Sequence, residues 1–216
     1  MLELAGTALV VHAVRALRDG GCAGVVTAAP ADWTEIVAGL LPESDVIVVA
    51  GGSTRQDSVS AALRAVPADA RWVLIHDAAR PLVPATVITA VRTALVDGAP
   101  AVIPVLPLVD TIKSVDPAGV IAATIDRTAL ARAQTPQGFE RDLLVRALEH
   151  CARGGHQVTD DAEAVAALGV LVRTVTGDER GLKITTPADL ALAEAWLDAS
   201  DNPVRGDDAH SGLGES

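Results

Sequence analysis

The sequence predicts an α/β fold built on a mostly parallel sheet, and three observations predict it. Apolar runs of strand length alternate three times with amphipathic stretches of helix length between residues 23 and 106. The connections between them are short, which calls for parallel strands joined by right-handed crossovers. Half of the 216 residues are hydrophobic while aromatics are only 2%, so the core is one of Ala, Val, Leu and Ile. A chain of this length reads as one domain with a substantial core.

The elements follow in order. Thr7 is placed to cap a helix over Ala8 to Arg18, in which Leu9, Ala13, Val14 and Leu17 share one face. Gly20-Gly21 ends it. Ala23 to Ala28 reads as a strand, Trp33 to Leu41 as a short helix and Val46 to Ala50 as a second strand. Gly51-Gly52-Ser53-Thr54-Arg55-Gln56-Asp57-Ser58 then leads into a helix carrying Val59, Ala62, Leu63 and Val66. Trp72 to Ile75 is an apolar run of the kind that forms a buried parallel strand. Pro84 opens a helix to Val96, and Ala101 to Leu106 is the next strand.

The alternation breaks at Val109. Asp110 to Val115 and Val120 to Ile125 flank Asp116-Pro117-Ala118-Gly119, a turn sequence that predicts a β-hairpin outside the core. An excursion of this length, residues 109–127, is expected to serve as a dimerisation arm rather than a bare surface flap. Helices over Arg141 to Ala152 and from Thr159 to Leu168 follow. Asp160 and Glu163 stand at capping-box spacing, which favours a structural role for the acids there. Val170 to Val175 is the last strand, and Thr186 with Pro187 starts the last helix. The tail 200–216 has little hydrophobicity and reads as disordered.

Composition narrows the function. The net charge of −11, from 17 basic and 28 acidic residues, argues against nucleic-acid binding through a basic footprint. Apolar runs fall far short of the ~18 residues of a membrane span, and no signal peptide is evident at the N-terminus. Cys22 and Cys151 show no metal-ligand spacing and read as reduced thiols, consistent with a cytoplasmic protein. Lysine is scarce: Lys113 and Lys183 are the only two.

Candidate chemistry gathers where strands end. His76-Asp77 stops the Trp72–Ile75 run abruptly, and Arg80 lies three residues on. Ligands of open α/β sheets bind beyond the carboxyl ends of strands. An aspartate there can hold a divalent cation, and a neighbouring arginine an anion; equally, Asp77 can cap a turn and Arg80 can be a solvated charge. The glycine turn at Gly51-Gly52 has the geometry that presents amides to an anion, with Arg55 and Ser58 adding charge and a hydroxyl, although an ordinary strand-to-helix turn needs no ligand. Lys183, between Leu182 and Ile184, either snorkels outward or points into the crevice. There is no Ser-His-Asp grouping, reactive-cysteine pattern or zinc spacing. Asp77, Arg80, Thr111, Arg127 and Lys183 suit phosphoryl or nucleotidyl transfer, in which the protein positions anions and neutralises developing charge.

In sequence order the chain carries LELAGTALVVHAV, GGSTRQDSV, VLIHDAARP, VDTIKSV, IDRTAL, AQTPQGF, VTDDAEAV and GLKITTPADLALAE. With these motifs it resembles the 2-C-methyl-D-erythritol 4-phosphate cytidylyltransferases of the non-mevalonate isoprenoid pathway, from Leu2 to about Leu197. The resemblance implies a Rossmann-like nucleotidyltransferase domain over 1–199, with helices on both sheet faces and a homodimer made through the hairpin arm. It implies CTP and methylerythritol phosphate as substrates and Mg²⁺ as cofactor. Asp77 would bind the metal, with Lys183 and Arg127 as further catalytic groups. Arg80, Thr111, Thr135 and Ala78 would bind the sugar-phosphate substrate, Thr111 and Arg127 reaching across from a partner subunit. Gly51, Gly52, Arg55 and Ser58 would bind the nucleotide.

Two departures accompany the match. Relatives carry a strand and a glycine-rich loop of the form AAGxGxRxxxxxPK ahead of the LELAG-like segment, and this chain starts just after it. The expectation is a longer enzyme in which Met1 is internal; the alternatives are a non-catalytic dimerising remnant, or a cytidylyltransferase for another polyol phosphate. Ser53 also stands where many relatives have an acidic residue.

Overall fold

The structure, a computed structural model, describes residues 1–155 and 157–201. Strands β1 (Glu3–Leu4) and β2 (Thr7–Ala8) form a small antiparallel hairpin. Thr7 is therefore extended and caps nothing: helix α1 (Leu9–Asp19) starts from Ala8 without a side-chain cap. Strands β3 (Val25–Ala29) and β4 (Val46–Ala50) pair in parallel around α2 (Thr34–Leu40). Helix α3 (Arg55–Ala65) opens on a capping box between Thr54 and Asp57. Then come β5 (Trp72–Ile75), α4 (Ala85–Val96), with Pro84 at its N-cap, and β6 (Ala101–Pro107).

The predicted hairpin forms as β7 (Ile112–Val115) and β8 (Ile121–Ile125), a two-stranded sheet of its own. Asp116 shapes its turn by accepting from the amides of Ala118 and Val120, both at 2.9 Å. The chain returns through β9 (Ala131–Ala133) and β10 (Gln137–Glu140) to helices α5 (Arg141–Gly154) and α6 (Asp161–Ala166). Strand β11 (Arg173–Thr176) and helix α7 (Pro187–Asp201) complete the fold. The first two positions of the predicted disordered tail are thus the end of α7; its remainder, from 202, lies outside the described residues.

The main sheet runs β11-β6-β10-β5, with β9 also paired to β6. Strand β11 is parallel to β6, but β10 is antiparallel to both its neighbours. The parallel expectation therefore holds for the β3–β4 and β6–β11 pairs and fails at β10. That strand is the way back from the hairpin excursion, so it enters the sheet from the opposite end. Its Phe139, the only phenylalanine, is fully buried in the cluster that holds Val73, Leu143 and Leu144. Among the described residues, strand β3 is paired on one side only, by β4, and β5 on one side only, by β10. Leu74 of β5 nevertheless packs in the same cluster as Val25, Ala29 and Ile88. Near the N-terminus, fully buried Leu4 meets Leu9, Ile184 and Ala193, which ties α7 to the first hairpin.

Candidate active site

Four separate segments converge beyond the carboxyl end of β5. Asp77 sits two residues past Ile75, and the turn after it closes with Arg80 N donating to Asp77 O at 2.9 Å. Arg55 is the first residue of α3, Lys183 stands before α7, and Thr135 comes from the link between β9 and β10. Together with Gln137 they line a cleft of about 230 Å³. A larger hollow of about 430 Å³ lies beside Trp33 and Leu40, but its only charged side chains are Glu3 and Arg15. Convergent charge, not size, marks the smaller cleft as the site.

Asp77 is surrounded by cations. Lys183 Nζ lies 3.1 Å from its carboxylate, Arg55 Nε 3.4 Å and Arg80 Nε 3.8 Å. Burial alone would push the Asp77 carboxyl up, but Lys183, then Arg55 and Arg80, outweigh it and hold it below the ordinary carboxylate range. Arg80 is fixed independently of this pair, since Nη1 donates to Gly181 O at 2.7 Å. Arg55 also donates to Asp161 at 2.7 Å. Asp161 is 1% exposed, and its burial raises its pKa against the lowering effect of Arg55. A carboxylate with three nearby cations and an open cleft is a site for anionic groups, with or without a bridging metal.

His76 and Thr135 set the backbone of Asp77. His76 Nε2 faces the Arg80 carbonyl at 3.1 Å, an oxygen that can only accept, so this nitrogen carries hydrogen. Its Nδ1 lies 2.9 Å from the Thr135 hydroxyl, which in turn accepts from the Asp77 amide at 3.1 Å. Desolvation lowers the His76 pKa to about 4. The ring is then neutral at pH 7, and the Thr135 hydroxyl proton goes to Nδ1.

The glycine turn is held from within. Ser58 Oγ accepts from Gly52 N at 3.1 Å and donates to Thr54 O at 2.9 Å, while Gly51 N donates to Ala29 O at 2.7 Å. A Cβ on Gly52 would lie 2.1 Å from that of Asp57. The glycines here let the first turn of α3 close against the strand end, and the amides of Gly51 and Gly52 are spent internally rather than aimed at an anion. Ser53 donates to Asp57 at 2.9 Å.

Residues 1–199 match the family described as IspD, 2-C-methyl-D-erythritol 4-phosphate cytidylyltransferase. The chain belongs to that cytidylyltransferase family. A relative of the same name from Streptomyces avermitilis is 49% identical, with 90% of this chain and 82% of the relative covered. One from Frankia casuarinae is 50% identical, covering 96% and 76%. Among solved structures, the cytidylyltransferase of Thermus thermophilus superposes with a TM-score of 0.79 at 36% identity, covering 91% of this chain and 92% of that one. The 4-diphosphocytidyl-2C-methyl-D-erythritol synthase of Anaerococcus prevotii reaches 0.83 at 25% identity, covering 91% and 88%.

In this member of the cytidylyltransferase family, Asp77, Arg80, Arg55, Thr135 and Lys183 come together in one cleft. Ala78 lies on the same turn, exposed. Gly51, Gly52 and Ser58 form the turn that presents Arg55. Thr111 and Arg127 do not join the cleft: both are exposed at the base of the hairpin arm. Three residues carry roles that the sequence reading does not assign. Asp161 reads as one of the helix-start acids, yet it is the partner of Arg55 rather than a cap; Asp160 caps α6, accepting from Glu163 N at 2.8 Å. His76 is marked only by its place after an apolar strand. Gln134 lies inside AQTPQGF, with no pattern of its own to single it out.

Proposed function

We propose that this chain transfers a cytidylyl group from CTP to 2-C-methyl-D-erythritol 4-phosphate in isoprenoid biosynthesis. A substrate phosphate oxygen attacks the α-phosphorus of CTP, forming one P–O bond while the bond to pyrophosphate breaks. The single observation that carries this reading is the Asp77 carboxylate lying 3.1–3.8 Å from Lys183, Arg55 and Arg80 at the end of β5. Phosphoryl chemistry demands positioning and charge neutralisation more than covalent participation. Lys183 and Arg80 neutralise substrate phosphate and the transition state, and Thr135 with Ala78 shapes the turn against the substrate. Gly51, Gly52, Arg55 and Ser58 form the nucleotide side.

Asp77 is the residue for Mg²⁺. Among the described residues no cluster of three or more His, Cys, Asp or Glu makes a protein-only cage. One carboxylate completed by substrate phosphates suits this ion, which keeps waters and seldom uses a dedicated cage. Asp160 and Asp161 are committed to a helix cap and to Arg55. The metal would supply Lewis-acid stabilisation of phosphate charge.

The hairpin arm is the dimer contact in this reading, delivering Thr111 and Arg127 to the partner's cleft. Supporting it, Val115, Val120 and Ile121 are 56–61% exposed on a two-stranded sheet apart from the core. A cytoplasmic location fits free Cys22 and Cys151, and no described helix is long and apolar enough to cross a membrane. Pyrophosphate release from CTP and methylerythritol phosphate with Mg²⁺ tests the function, run on this chain and on a version extended upstream. Turnover with this substrate pair supports the reading; none from either folded protein removes it.

A further inference from the structure

Lys183 lies in the segment between β11 and α7, and what fixes that segment is a buried amide. Gln134 is 6% exposed and follows β9, in a segment remote in sequence from the lysine. Its Nε2 donates to Asp178 O at 2.9 Å, and its Oε1 accepts from Asp178 N at 3.1 Å. Side chain and backbone thus bind reciprocally, as two strands would. Only this amide orientation satisfies both contacts, because the reverse sets oxygen against oxygen and N–H against N–H. Gln134 is itself anchored, its own N donating to Pro104 O at 2.8 Å.

The loop is shaped to receive that amide. A Cβ on Gly177 would stand 2.2 Å from Gln134 Oε1, and one on Gly181 3.0 Å from Nε2. Two glycines four residues apart therefore close over one side chain. Asp178 Oδ1 accepts from Arg180 N at 2.8 Å and tightens the turn, while Arg80 holds Gly181 O and Ala79 O accepts from Ile184 N at 2.7 Å. The result is a lysine held from both sides, with Nζ 3.1 Å from Asp77.

We propose that Gln134 is a positioning residue: its amide clamps the Gly177–Gly181 loop and thereby sets Lys183 against Asp77. Its place in catalysis rests on the cytidylyl-transfer reading; its place in the structure does not. Gln134→Glu keeps the shape but replaces the donor with a carboxylate oxygen facing the Asp178 carbonyl. Gly177→Ala attacks the same contact from the loop, by inserting a methyl where the amide lies.

The chain's two lysines make the position of Lys183 directly readable. With ¹³C-labelled lysine, NMR of the substrate-free chain gives one side-chain signal for exposed Lys113 and one for Lys183, assigned with Lys113→Arg. The clamp predicts distinct signals in the parent chain. In both Gln134→Glu and Gly177→Ala, the Lys183 signal moves toward that of Lys113 while the far-ultraviolet dichroism stays that of a folded chain. In pyrophosphate release, kcat falls by roughly a hundredfold, the scale of a small misplacement of a catalytic group, with the KM for CTP little changed. An unmoved Lys183 signal in either folded variant overturns the proposal. A moved signal, with no turnover by the parent chain or by its upstream-extended version, supports the clamp and removes the cytidylyl reading instead.

Discussion

Arg55 and Asp161 are joined at 2.7 Å beside the cleft, and the two ends of the pair sit in different media: the Asp161 side chain is 1% exposed, that of Arg55 36%. The pair is therefore asymmetric. Removing the arginine leaves a carboxylate in the interior whose Oδ1 already lacks a hydrogen-bond partner. Removing the aspartate leaves a guanidinium that water can reach. Arg55→Met should cost on the order of 3 kcal/mol in urea unfolding, and Asp161→Asn about 1 kcal/mol or less. Equal losses would mean that water reaches Asp161.

Asp161→Asn also releases Arg55 toward Asp77, now 3.4 Å away. A closer guanidinium competes with a cation for the same carboxylate. The expected outcome is a higher Mg²⁺ requirement in pyrophosphate release, several-fold, at nearly unchanged stability. Titration of activity against Mg²⁺ measures it.

Asp77, with Lys183 as its nearest cation, should set the acid limb of the activity profile. Asp77 is held low because Lys183, Arg55 and Arg80 overcome the effect of burial. Its stabilising contribution is complete above the unfolded carboxylate pKa, about 4, and is lost as pH falls through the lower folded value. Lys183→Met removes the nearest cation, so the Asp77 pKa rises and the acid limb moves to higher pH. Asp77→Asn should lower kcat by about 10²–10³-fold, the scale of losing one preorganised charge partner. An acid limb unchanged in Lys183→Met would assign it to another group.

Much of this site is legible in the residues themselves. An apolar strand broken by His76-Asp77, an arginine three places on and a glycine turn before Arg55 all fall at strand ends, where local pattern is informative. The pairings that complete the site are not legible, because they join residues remote in sequence: Arg55 to Asp161, and Gln134 to Asp178. Strand β10 escapes for a related reason. Gln137-Gly138-Phe139-Glu140 has no alternating pattern, and becomes a strand because β5 and β6 flank it. Thr7 misleads in the opposite way, as a good cap in sequence that is drawn into a hairpin with Glu3-Leu4.

His76 predicts a second pH effect, on stability. Its folded pKa, lowered to about 4, lies below the ordinary value of 6.5. The unfolded chain therefore takes up the proton first, and stability falls as pH drops from about 6.5 toward 4, by at most ~1.4 kcal/mol per pH unit. His76→Asn should flatten this slope. Thr135→Ser, which keeps the hydroxyl between His76 Nδ1 and the Asp77 amide, should leave kcat within about threefold, whereas Thr135→Val should lose more. Urea unfolding across pH reads the first effect, and steady-state kinetics the second.

The hairpin arm gives the prediction with the largest reach. Val120 and Ile121 are 60% and 61% exposed at the end of a two-stranded sheet, where solvent contact is costly unless another surface covers them. Thr111 and Arg127, at the base of the same arm, are outside their own cleft. Ile121→Glu places a charge in the contact without touching the core, so the fold should survive. On the reading that the arm is the dimer contact, sedimentation should change from dimer to monomer, and kcat should fall as Thr111 and Arg127 leave the partner's substrate. Mixing Ile121→Glu with Asp77→Asn chains cannot then restore turnover, whereas mixing Arg127→Met with Asp77→Asn should, because one cleft in the mixed dimer receives intact residues from both chains. Failure of that second mixture to recover activity would place Arg127 outside the partner's site.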